Sequence, residues 1–207
     1  MAEFMGGEFM LGNDVSHHNF PKDKKKIFNP SHLDFTIIKA TEGKTYVDPA
    51  MNDWLQLIAD TRGESGTPFI FFYHYARPEN NSATEEAQHF IKTIEHHIGN
   101  CGIALDWEGN ALEVPNGEKW AFEWLTQVEA ATGNRATPLF YTSAAYTYKY
   151  QAIAKAGFPL WVAHYNTPKP RVDAWEKPTM WQFTSKPFDM NIFFGSPSDM
   201  VKLIHSK

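Results

Sequence analysis

The sequence of 207 residues predicts an α/β fold, a closed or nearly closed barrel whose final third is poor in helix. Three observations carry this expectation. Eight short apolar runs recur along the chain. Several of them are almost continuously hydrophobic, as strands covered on both faces must be. Helical patterns separate the early runs, whereas short or proline-rich segments join the late ones.

Taken in order, the strands are expected over 10–16, 34–41, 68–75, 102–108, 138–143, 159–165, 179–185 and 188–194. Helices are expected over 50–62, 82–98, 117–132 and 144–156. Ser82 with Glu85 has the form of a capping box, and Gly133 and Gly157 suit helix C-termini. Alternation of strand and helix holds through the fifth strand. Beyond it, Pro159, Pro168, Pro170, Pro178, Pro187 and Pro197 leave no room for full helices. Residues 1–9 read as a disordered lead-in that lacks the basic head and apolar core of a secretory signal. Residues 10–207 read as a single barrel domain, with no repeat, linker or second domain.

Composition narrows the function. Apolar residues make up 43% and charged residues 21%, ordinary values for a globular chain. The net charge is −5, and the densest basic stretch, Lys22 to Lys26, is interrupted by Asp23, so nucleic acid is not an expected partner. A single cysteine, Cys101, allows neither an internal disulfide nor a cysteine-based metal site. No stretch approaches the ~18 consecutive apolar residues of a membrane span. The aromatic share of 15% supplies faces that could line a sugar groove or simply fill the core.

The chemistry concentrates in Ile-Ala-Leu-Asp-Trp-Glu, residues 103–108. On a strand, alternation places Asp106 and Glu108 on one face at the carboxyl end, with Trp107 pointing away. Two carboxylates on one face raise each other's pKa, so one tends to keep its proton. A glycosidase needs that condition: one acid protonates the leaving oxygen while a carboxylate opposes positive charge at the sugar carbon. Barrel active sites lie at the carboxyl ends of the strands. Asp14 meets that rule in the first strand. Asp189, near the start of the eighth, meets it only if that strand begins earlier or bends.

Seven segments share their order and residues with one known family: Gly12-Asn13-Asp14-Val15-Ser16, Phe72-Tyr73-His74-Tyr75-Ala76-Arg77-Pro78, Leu105-Asp106-Trp107-Glu108, Phe140-Tyr141-Thr142-Ser143, Leu160-Trp161-Val162-Ala163, Trp181-Gln182-Phe183 and Phe188-Asp189-Met190-Asn191. Over residues 10 to 195 the chain resembles the glycoside hydrolase family 25 lysozymes, the Chalaropsis-type muramidases. The resemblance implies an irregular TIM-like barrel of five strand-helix units followed by three helix-poor strands. It implies an enzyme, an N-acetylmuramidase, that hydrolyses the β-1,4 bond between N-acetylmuramic acid and N-acetylglucosamine in peptidoglycan with net retention. Glu108 falls where that family has its proton donor, and Asp106 where its partner stands. Asp14 and Asp189 match two further acids on the groove floor. Tyr73, Tyr141 and Trp161 match groove-lining positions. Gln182 is a candidate for hydrogen bonding to sugar, and Lys39, in Ile-Ile-Lys-Ala, either binds substrate or serves as a paired charge. Whether a carboxylate or the substrate's acetamido oxygen attacks is left open.

Histidines are numerous, but no His-Glu-x-x-His occurs, and neighbouring pairs such as His96-His97 point in different directions. No metal and no cofactor is expected. Two alternatives share the barrel: a catalytically silent glycan-binding module, and a metal-dependent polysaccharide deacetylase, disfavoured because its ligand pattern is not visible. The expected partner is the glycan strand of bacterial peptidoglycan, met by a monomer outside the cell or in the wall, with no signal peptide in this sequence.

Overall fold

The computed structural model describes residues 7–20, 33–62 and 69–205, so the Lys22 to Lys26 cluster lies outside the described residues. Its strands are β1 (Phe9–Val15), β2 (Phe35–Glu42), β3 (Tyr46–Val47), β4 (Phe69–Tyr75), β5 (Gly102–Asp106), β6 (Leu139–Ser143), β7 (Leu160–Ala163), β8 (Met180–Thr184) and β9 (Met190–Phe194). Neighbours run β1-β9-β8-β7-β6-β5-β4-β2, and pairing of β1 with β2 closes the ring into an eight-stranded barrel. The two-residue β3 is a hairpin flap on the end of β2. All ring pairings are parallel except those of β9, which is antiparallel to β1 and to β8.

Outside the ring lie α1 (Met51–Arg62), α2 (Ala83–Ile94), α3 (Gly117–Ala131) and the short α4 (Gln151–Lys155). Their apolar faces meet the outward residues of the strands: Trp54, Phe90, Trp124 and Ile153 share one core with Ile38, Phe72, Leu105 and Phe140. The Ser82–Glu85 capping box starts α2, with Ser82 accepting from the Glu85 N–H at 3.2 Å. Gly133 and Gly157 follow α3 and α4 with φ of 68° and 90°, the left-handed conformation that ends a helix cheaply only in glycine.

A second core fills the barrel. Phe35, Phe71, Trp161, Met180 and Phe193 point inward, and large rings are accommodated by glycine on the paired strand. Gly102 is the register partner of Phe71, and a Cβ on it would come within 2.0 Å of the ring. Gly12 stands in the same relation to Phe35, at 2.4 Å. The inner core continues onto a helix that the sequence reading did not anticipate, α5 (Pro197–Ile204), which buries Met200 and Ile204 against the same cluster.

Several expected boundaries shift, and the strand expected over 102–108 ends at Asp106, which leaves Glu108 beyond it. β1 begins at Phe9, one residue before the expected domain start. The helix expected over 144–156 is a 3-10 turn, Thr147–Lys149, followed by α4. The helix expected to reach 98 ends at Ile94, and His96 and His97 lie in the 3-10 turn Glu95–His97.

Candidate active site

Pleat and strand direction decide which side chains meet at the mouth. In β5, Ala104 belongs to the inner core and Ile103 and Leu105 to the outer one, so Asp106 ends the strand facing inward. Trp107 turns outward, where its Nε1 donates to the Tyr150 hydroxyl at 2.7 Å. Glu108 returns to the inner side just before the 3-10 turn Gly109–Glu113. Gly109 has φ of 57° and lies against the Tyr75 hydroxyl, which a Cβ there would approach to 2.6 Å.

Asp189 reaches the mouth by a route other than the two expected. β9 is antiparallel, so its beginning lies at the end of the barrel where the parallel strands finish. The backbone carbonyl of Asp189 accepts from the Asp14 N–H at 3.3 Å, which joins the two acids' strands at the rim. Asp14, Asp106, Glu108 and Asp189 thus line a single cavity of about 250 Å³. The expected Tyr73, Tyr141, Trp161 and Gln182 line it too, together with Tyr165. Lys39 does not line it. Lys39 is buried alongside, donates to Glu42 Oε2 at 2.6 Å and lies 4.8 Å from the centre of the Tyr75 ring.

An amide network orients Asp14. Gln182 Nε2 and Asn191 Nδ2 donate to Asp14 Oδ2 at 2.8 and 2.7 Å. The hydroxyls of Tyr141 and Tyr165 both donate to Gln182 Oε1, the former at 3.0 Å. Trp161 Nε1 donates to Asn191 Oδ1 at 2.8 Å. Tyr165 and Asn191 were not anticipated as site residues. Period-two alternation from Asp189 points to Asn191, whereas Tyr165, beyond the end of β7, carries no periodic signal.

All four acids have raised pKa values. Asp14 is pushed to about 7, first by burial and then by the charge of Asp189, against the two amide donors. Asp106 rises well above the carboxylate range through burial and the charge of Glu108, with Lys39 opposing, and its Oδ1 is buried with no hydrogen-bond partner. Burial also raises Glu108, followed by Asp189, again against Lys39. Burial raises Asp189. Burial is the first cause for Asp106 and for Glu108, and neighbouring carboxylates add to it in both. Asp106, Glu108 and Asp189 therefore hold their protons as an interacting group, each anion making the next ionisation harder.

Among the described residues, no group of three or more His, Cys, Asp and Glu is arranged to hold a metal ion. His74 is buried between Thr41 Oγ1 and Glu86 Oε2, each at 2.7 Å, on the outer side of β4. His17 Nδ1 contacts the buried Asp48 at 2.7 Å.

The model of glycosyl hydrolases family 25 matches residues 13–191, a span that holds all four acids. The chain belongs to that family. This family 25 chain is 31% identical over 187 residues to the uncharacterized protein YegX of Escherichia coli K12, covering 85% of the chain and 65% of YegX. It is 33% identical over 195 residues to a lysozyme of Streptococcus phage Cp-9, covering 86% of the chain and 52% of that lysozyme. The chain thus spans less than two thirds of the length of either curated relative. Its fold matches the crystal structure of a bacterial lysozyme from Streptomyces coelicolor with a TM-score of 0.79 at 23% identity, over 95% of this chain and 97% of the other.

Proposed function

We propose that this family 25 chain is a peptidoglycan hydrolase, an N-acetylmuramidase that cleaves the β-1,4 bond between N-acetylmuramic acid and N-acetylglucosamine with net retention. The observation that carries it is the convergence of four carboxyl groups, all with raised pKa values, in one aromatic-walled cavity at the barrel mouth. The lysozyme relatives support the same substrate class. No helix among the described residues is long and apolar enough to cross a membrane. The site of action proposed for the chain, as a monomer, is the bacterial wall outside the cytoplasm.

Glu108 lies two residues beyond Asp106, past the end of β5, and has the longer side chain, so it reaches the glycosidic oxygen above the mouth, and burial followed by the charge of Asp189 favours its protonated form. Asp106 lies deeper, and the proton of the resting site belongs to the pair rather than to either group. Positive charge growing at the anomeric carbon favours the anionic form of Asp106, which then stabilises that charge or orients the acetamido group. The amide-held Asp14 and the rim Asp189 set the field around them. Tyr73, Tyr141, Trp161 and Tyr165 wall the sugar, and the hydroxyls of Tyr141 and Tyr165 are already occupied by Gln182, which holds the wall rigid.

The deciding experiment is turbidity loss in suspended bacterial walls. Glu108→Gln keeps volume and polarity but removes the donor, so lysis should fall by about a hundredfold or more while the protein stays folded. A variant that keeps more than about a tenth of the activity contradicts the assignment. Lysis should be equally fast in EDTA, because no ligand set of metal spacing lines the cavity. A loss restored by one divalent ion would make the cleavage metal-dependent and overturn the carboxyl-only reading, whereas the deacetylase and the silent glycan-binding module would lyse no walls at all.

A further inference from the structure

Beside the acid-lined cavity, the same mouth carries a second and larger hollow of about 600 Å³. Its walls come from the segments that follow β1, β2 and β4, and they include His18, Lys44, Arg77, Glu79 and Asn80. The two hollows share a partition. Asp106 is the register partner of Tyr75, and Tyr75 that of Glu42, so the groove begins two strands, about 10 Å, from Asp106. Lys39 and Arg77 each lie 4.8 Å from the centre of the Tyr75 ring and both hydrogen-bond Glu42, which fixes the partition in place.

The chemistry of the groove differs from that of the cavity. The cavity has four walls of Tyr and Trp, the surface a pyranose ring prefers, whereas the groove residues bring one phenol ring, Tyr46, beside the imidazoles of His17 and His18. The groove offers cations, anions and carboxamides side by side: Arg77 is 3.6 Å from Glu79, and Lys44, exposed at its rim, is 2.9 Å from Glu85. Such a surface suits a ligand that carries both carboxylate and amine. The muramoyl residue has one, since a stem peptide with free carboxylates and a diamino acid hangs from its lactyl group. A lactyl ether and about three extended residues span the 10 Å from the cleavage site.

We propose that the groove binds the peptide stem of the muramoyl residue and makes the protein prefer peptide-bearing glycan over bare glycan. This inference rests on the muramidase reading of the neighbouring cavity. Arg77 belongs to the partition, so the test uses Lys44→Glu combined with Asn80→Ala, two exposed positions outside the catalytic cavity. kcat/KM is measured on intact walls and on the same walls stripped of stems by an amidase. Wild type should favour intact walls. The double variant should lose about tenfold on them, the loss expected from one charge-assisted hydrogen bond, with its rate on stripped glycan unchanged.

Equal losses on both substrates make the groove a sugar subsite and overturn the proposal, as does no loss on either. Titration of free stem peptide, followed by NMR, separates this idea from the one beneath it. Saturable binding by wild type that the double variant lacks, in a protein that lyses no walls, keeps the groove and discards the muramidase. Lysis by a wild type that binds no stem peptide does the reverse.

Discussion

Glu108 and Asp189 set the usable pH range between them. Loss of the Asp189 charge makes Glu108 give up its proton more readily, because an acid ionises more easily once a neighbouring anion is gone. Asp189→Asn should therefore move the basic limb of the pH profile of lysis to lower pH. Asp106→Asn should lower the rate and move that limb the same way, since the charges of Asp106 and Glu108 interact. A basic limb that stays in place in both variants would mean that neither acid is electrostatically coupled to Glu108. Most of these side chains are legible in the sequence, because strand alternation alone puts Asp106 and Glu108 on one face and Trp107 on the other. The network that fixes Asp14 is not legible in the same way. Asn191 lies 177 residues from Asp14 along the chain, and only closure of the barrel brings them to 2.7 Å.

At the level of elements, alternation reveals faces but not directions. Nothing in the run 188–194 says that its strand is antiparallel, yet that direction carries Asp189 to the mouth. The missed helix α5 teaches the complementary lesson. By sequence Pro197 reads as one more breaker in a proline-rich tail, whereas it stands in the first turn behind Ser196, where a missing N–H costs nothing. Ser196 accepts from the Asp199 N–H at 3.2 Å and the Asp199 carboxylate accepts in return from Ser196 N at 3.1 Å, a capping box that was present in the sequence. The pairing of Gly102 with Phe71 is another property of elements, since the glycine exists for the ring on the next strand. Gly102→Ala should cost about 1–3 kcal/mol in urea unfolding through overpacking, and Phe71→Leu in the same chain should recover part of it. Additive costs in that double variant would mean that the two positions do not press on one another.

At the scale of the whole molecule, four carboxyl groups with raised pKa values place the site in tension with the fold. Below about pH 3 these groups are protonated in both the folded and the unfolded chain, so their burial has no electrostatic consequence. As pH rises the unfolded chain releases their protons first, the folded chain binds more protons than the unfolded one, and stability declines until the folded groups ionise too. For Asp14, raised from 3.8 to about 7, the full effect above pH 7 is on the order of 4 kcal/mol. Asp14→Asn keeps the shape of the side chain and removes the charge, at the risk of one mispaired amide against Gln182 or Asn191. Thermal melts should thus show the variant matching or falling below wild type at pH 3 and exceeding it at pH 8, with wall lysis reduced throughout. A variant less stable than wild type by the same margin at both pH values would mean that Asp14 folds without electrostatic cost, held by its two amides as a structural pin.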